Sequence, residues 1–116
     1  MSKPNIIQLS EFDVTQKIIE SLSSICTRAV LFSIKHESKD ATQIADELKI
    51  SLSTVYKTLS TLEDLALVEV DQYVISPEGK KIKQYRSRIG KVEITLDNLE
   101  PSLNLYPNTN YSKSNS

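Results

Sequence analysis

Residues 40–66, DATQIADELKISLSTVYKTLSTLEDLA, carry two amphipathic helical patterns with only KIS between them. In the first, Ile44, Ala45 and Leu48 share a face. In the second, Leu52, Val55, Leu59, Leu62 and Leu65/Ala66 recur at helical spacing, and nearly everything between them is Ser, Thr, Tyr or Lys. So short a link makes the second helix cross close to the first, which requires a small residue at Ala45. Leu48 and Ile50 then pin the turn, and Val55 and Leu59 hold the second helix on a core. Asp40 followed by Gln43 forms a capping box for the first helix, and Ser51 or Ser53 can cap the second.

What flanks this pair narrows the architecture. Upstream, residues 1–10 read as an arm, and Phe12, Ile18, Ile19 and Leu22 mark a helix from Glu11 to Leu22, which continues or restarts through TRAVLFSIKH. The latter is apolar nearly all round, as a buried central helix would be. Downstream, VEV and YVIS are β-branched and aromatic, SPEGK supplies turn residues, and KIKQYRSRI reads as the return strand of a hairpin. A helix starting at Ser76 with Pro77 first is the competing reading, since Ile82, Tyr85 and Ile89 also match helical spacing. The hairpin is favoured. KVEITL alternates as a strand with LEPSLNLY as a weaker extended partner, and the polar end NTNYSKSNS reads as disordered.

These elements make an α+β, mainly helical chain: a winged helix-turn-helix over residues 11–92, a strand extension over 93–107 and a disordered tail over 108–116. With 116 residues and a net charge of −1, the chain can bury one core and has no overall attraction for nucleic acid. The charge is unevenly spread, however. Residues 1–76 hold seven Lys/Arg against eleven Asp/Glu, whereas PEGKKIKQYRSRIGKV, residues 77–92, holds six against one. The basic island falls on the hairpin.

If Val55 and Leu59 point inward, Leu52, Ser53, Tyr56, Lys57 and Ser60 point outward, with Thr54 at the edge. Ser51, Ser53 and Thr54 stand at a helix N-terminus, where free N–H groups favour phosphate, and Tyr56 and Lys57 can reach bases or the next phosphate. Lys80, Lys81 and Lys83 on the hairpin would straddle the backbone or enter the adjacent minor groove, with Arg86 and Arg88 further along the strand. The expected function is sequence-specific binding of double-stranded DNA in transcription regulation, with helix 52–65 in the major groove. The alternative is a winged-helix module that grips protein within transcription or chromatin machinery.

Residues 18–89 resemble the ArsR-like winged helix-turn-helix regulators, the small archaeal ones in particular, through IIESLSSICTRAVLFSI, ATQIADELKISLSTVYKTLSTLEDLALVEV and GKKIKQYRSRI. The resemblance implies a homodimer on operator DNA, with SLSTVYKTLSTL in the major groove and the wing on the flanking backbone. Two departures matter. Lys49 stands where many members have Gly, so it must tolerate a strained or left-handed conformation. DATQIAD stands where metal-sensing members carry a Cys-x-Cys pair, so metal sensing through that site is not implied.

Other functional classes find little support in the residues. One Cys and one His cannot build a zinc site within a subunit, and two distant glycines cannot form a phosphate-cradling loop. No catalytic set is visible, so no enzymatic activity and no cofactor are expected. Cys26 reads as a small core residue, with a redox switch beside Arg28 as the alternative, and His36 as a helix cap or surface residue. No signal or membrane-spanning pattern is present, which points to the cytoplasm. Phe12, Ile18 and Ile19 exceed what a monomer needs, so a homodimer through the first helix and the C-terminal segment is expected.

Overall fold

In the computed structural model, residues 5–109 are described, with side chains from Val14 to Thr109. Helix α1 spans Asn5–Leu22, so residues 5–10, expected as an arm, are helical instead. No Pro or Gly interrupts the sequence from 5 to 22, and helical hydrogen bonding propagates cheaply once started. The chain breaks at Ser23 and restarts as α2, Ile25–Ser33, with the Ser24 hydroxyl accepting from the Thr27 N–H at 3.3 Å. Arg28 Nη1 donates to the Leu22 carbonyl at 2.8 Å, satisfying one of the orphaned acceptors at the end of α1. Contrary to the all-round burial expected, α2 buries a stripe of Val30 and Leu31 and leaves Ile25 and Phe32 exposed.

Helix α3, Ala41–Leu48, begins with the expected capping box: the Asp40 carboxylate accepts from the Gln43 N–H, and the Gln43 side chain accepts from the Asp40 N–H, both at 2.8 Å. It ends at Lys49 in the left-handed region, φ 60°, where the Ala45 carbonyl accepts from the N–H groups of both Lys49 and Ile50. Ser51 caps α4, Leu52–Asp64. That helix closes the same way, with Ala66 at φ 61°, Ala66 N–H donating to Glu63 and Leu67 N–H to Leu62, each at 2.9 Å. Val55, Leu59 and Leu62 are buried with Val30, Leu31, Ile34 and Ile44 in one core.

Strand β1, Val68–Ile75, pairs antiparallel with β2, Lys81–Ser87, so the hairpin reading holds and the helix reading of 77–89 falls. The pairing is closed by Gly79, whose φ of 85° suits a residue without Cβ. Lys39 and Tyr85 exchange backbone hydrogen bonds at 3.1 and 2.8 Å, tying the loop before α3 to β2. A second hairpin follows: β3, Ile89–Thr95, against β4, Ser102–Pro107, with Val92 opposite Leu105 and Ile94 opposite Leu103. The expected boundary at 92/93 therefore falls inside a continuous strand, and the extension is a hairpin.

Asn108, expected in a disordered tail, is buried. Its side-chain amide donates to the carbonyls of Lys35 at 2.8 Å and Ser87 at 2.9 Å, and its N–H donates to Arg88 at 2.9 Å. These bonds moor the end of β4 to the body of the protein. Residues 1–4 of the expected arm and 110–116 of the expected tail lie outside the described residues. Together the described elements form an α+β chain of four helices and two small antiparallel hairpins.

Candidate nucleic-acid interface

Helix α4 presents the face its periodicity implies: Leu52, Ser53, Tyr56, Lys57 and Ser60 are exposed, opposite buried Val55 and Leu59. Ser51, one of the expected phosphate ligands, spends its hydroxyl on the helix. The oxygen accepts from the Thr54 N–H at 3.1 Å and its proton reaches Thr54 Oγ1 at 2.8 Å. Thr54, half-buried, keeps only its own hydroxyl proton for an outside acceptor. Ser53 and Ser60 have more freedom, although Ser53 Oγ lies 3.3 Å from Ser51 Oγ.

The first turn of α3, Tyr56 of α4 and the start of β2 enclose an open groove of about 430 Å³. Lys80, Lys81 and Lys83 line it from the hairpin, and of the expected α4 residues only Tyr56 joins them; Ser51, Ser53, Thr54, Lys57 and Ser60 do not line it. None of these three ammonium groups forms an ion pair with a carboxylate among the described residues. Lys81 Nζ instead stands 5.1 Å from the centre of the Tyr73 ring. Asp40 and Thr42 also line the groove. The capping box marks Asp40 as a helix start in the sequence, but the position of the hairpin relative to that end is a tertiary fact.

Tyr85 forms the inner wall of the groove. Burial, with Glu63, Tyr56 and Tyr73 nearby, pushes its hydroxyl above the ordinary value, so it remains neutral at physiological pH. The groove thus holds three cations against the single carboxylate of Asp40, and that carboxylate is engaged by the Gln43 N–H.

Two expected contacts are elsewhere. Arg86 is buried and paired with Glu69 across the ladder, with Nε 3.7 Å from Asp71 Oδ1. Strand alternation explains the correction: Lys81, Lys83 and Tyr85 share one face of β2, whereas Arg86 points to the other. Arg88 is exposed, but its N–H donates to the Leu67 carbonyl at 2.9 Å, beyond the end of α4 and away from the groove. It follows Tyr85, the last groove residue of β2, by three positions and does not itself line the groove. Lys91, the sixth basic residue of the island, is paired with Glu93 at 3.3 Å.

Of the remaining candidates, Cys26 is half-buried in the first turn of α2 rather than in the core, and His36 is exposed. Ile18 is part of the core, Val14 is exposed, and the side chain of Phe12 lies outside the described residues. Among the described residues, no helix is long and apolar enough to cross a membrane. The chain matches no protein-family model, and no curated protein is significantly similar to it in sequence.

Proposed function

We propose that this chain is a winged helix-turn-helix protein that binds duplex DNA as a sequence-specific transcription regulator. Helix α4 enters the major groove and the β1–β2 hairpin acts as the wing. The carrying observation is the shared groove, where Tyr56 stands with Lys80, Lys81 and Lys83 and only Asp40 opposes them in charge. A cationic concavity beside an exposed polar helix face matches what a duplex offers: phosphates at the rim and base edges within. The resemblance to ArsR-like regulators supports the same reading.

A homodimer would double this contact across a symmetric site. The surfaces available for it are the exposed Val14 of α1 and the apolar side chains Ile94, Leu96, Leu99 and Leu105 of the second hairpin. The same apolar hairpin favours, as a second reading, a winged-helix module that grips another protein.

Binding to random-sequence duplexes at low salt, by fluorescence anisotropy, tests the proposal. Lys57→Ala should weaken binding and relax sequence preference. Lys81→Ala and Lys83→Ala should each lower affinity for every sequence and reduce the logarithmic salt slope by about one. Undetectable binding at low salt would favour the protein-gripping alternative.

A further inference from the structure

At the end of β1, Tyr73, Val74 and Ile75 are 51%, 42% and 61% exposed, the only three consecutive large hydrophobic residues so exposed among the described residues. The ladder pairs Tyr73 with Lys83 and Ile75 with Lys81. Paired residues of an antiparallel ladder project to the same side, so the four side chains share one face of the hairpin. Ile75 is the outermost apolar residue on that face, level with Lys81 at the rung next to the turn. The turn is firmly built: Ser76 N–H donates to Lys80 O at 2.8 Å, Gly79 N–H to Ser76 O at 2.8 Å, and Lys80 N–H to Ser76 Oγ at 3.0 Å. The apolar end is thus held out in water, on an edge strand, where it contributes nothing to the core.

An apolar strand edge with cations along its neighbouring strand matches the chemistry of a DNA groove, with a phosphate wall beside a floor of stacked bases. Resting on the DNA-binding reading above, we infer that Ile75, backed by Tyr73, is a wedge that enters the minor groove beside the α4 contact and partly unstacks one base step. Lys80, Lys81 and Lys83, all on the β2 side of Ile75, hold the phosphates along one wall while the step opens. Glu78, the acid within the turn, repels phosphate, so the strand edge at Ile75 leads the approach and not the turn itself. Insertion of a branched apolar side chain kinks the duplex toward the major groove, and flexible pyrimidine–purine steps accept it most readily.

The test uses a duplex selected from random DNA by the full chain, with dyes at its ends and 2-aminopurine walked along the flank. Wild type should bend the duplex by roughly 30° or more and brighten the probe at one step. Ile75→Thr, which keeps a β-branched residue in the strand, should still bind, lose more than half the bend and bind about tenfold more weakly. A mismatch placed at the opened step should restore its affinity. Val74→Thr, on the opposite face, should leave the bend unchanged. A straight wild-type complex, an Ile75→Thr complex as bent as wild type, or a change in oligomeric state alone would overturn the wedge and leave DNA binding intact. Failure of the wild type to retain any duplex at low salt would overturn DNA binding, and the wedge with it.

Discussion

The guanidinium of Arg86 is ion-paired with the carboxylate of Glu69 directly across the β1–β2 ladder, on the face turned away from the groove. The Arg86 side chain is only 10% exposed, Glu69 41% and Asp71 22%, so losing the arginine leaves two partly solvated carboxylates beside a buried site. Arg86→Met should therefore cost about 2 kcal/mol in chemical denaturation, below the full cost of breaking a buried pair because Glu69 reaches water. The salt slope of DNA binding should stay as in wild type. A slope reduced by about one would return Arg86 to the phosphate contacts.

Gly90 sits where β3 meets the end of β4. A Cβ there would lie 3.0 Å from the Pro107 carbonyl oxygen and 3.3 Å from Asn108 Cα, both backbone atoms. Gly90→Ala should cost about 1–3 kcal/mol by overpacking. Asn108→Ala should cost about 1–3 kcal/mol, because the buried carbonyl of Ser87 loses a donor. Thermal unfolding of both variants measures this. Stabilities equal to wild type would mean that the moored end of β4 contributes nothing to the fold.

Lys49 and Ala66 both occupy the left-handed region at the ends of helices. Glycine meets no Cβ penalty there, so Lys49→Gly and Ala66→Gly should each raise stability by roughly 0.5–1 kcal/mol, the gain being trimmed by the looser unfolded chain. Midpoints in urea decide it, and a fall in either variant would contradict the strain.

On the outer face of the second hairpin, Tyr106 donates to Glu93 Oε1 at 2.8 Å and Lys91 Nζ lies 3.3 Å from Oε2. The Tyr106 hydrogen bond, followed by Lys91, holds the Glu93 carboxyl below its ordinary 4.5. A carboxyl lowered on folding supports the hairpin above the unfolded value, and that support disappears as pH falls through the lowered one. Carboxyl NMR titration should show Glu93 rising toward 4.5 in Tyr106→Phe. An unmoved titration would remove Tyr106 as the cause.

How much of this was legible beforehand depended on how far each interaction reaches along the chain. The outward face of α4, with Tyr56 and Lys57, follows from a 3.6-residue period and needs nothing more distant than Val55 and Leu59. Lys80, Lys81 and Lys83 were legible as a group because the turn signals of SPEGK placed them on a return strand. Counting charge along the island could not separate them from Arg86, because a count carries no direction. Period-two alternation separates the faces, but only the ladder register sets Glu69 opposite Arg86.

The sequence by itself determined the helix–link–helix unit, the capping box at Asp40 and the hairpin that follows α4. All rest on interactions within a few residues, where backbone stereochemistry and side-chain period decide. Tertiary structure alone decided that the first turn of α3 lines the lysine groove, that Arg86 is buried, and that Asn108 reaches back to Lys35, 73 residues away. Those outcomes depend on strand register and on which distant groups the packing of helices and hairpins brings together, and no local pattern encodes that.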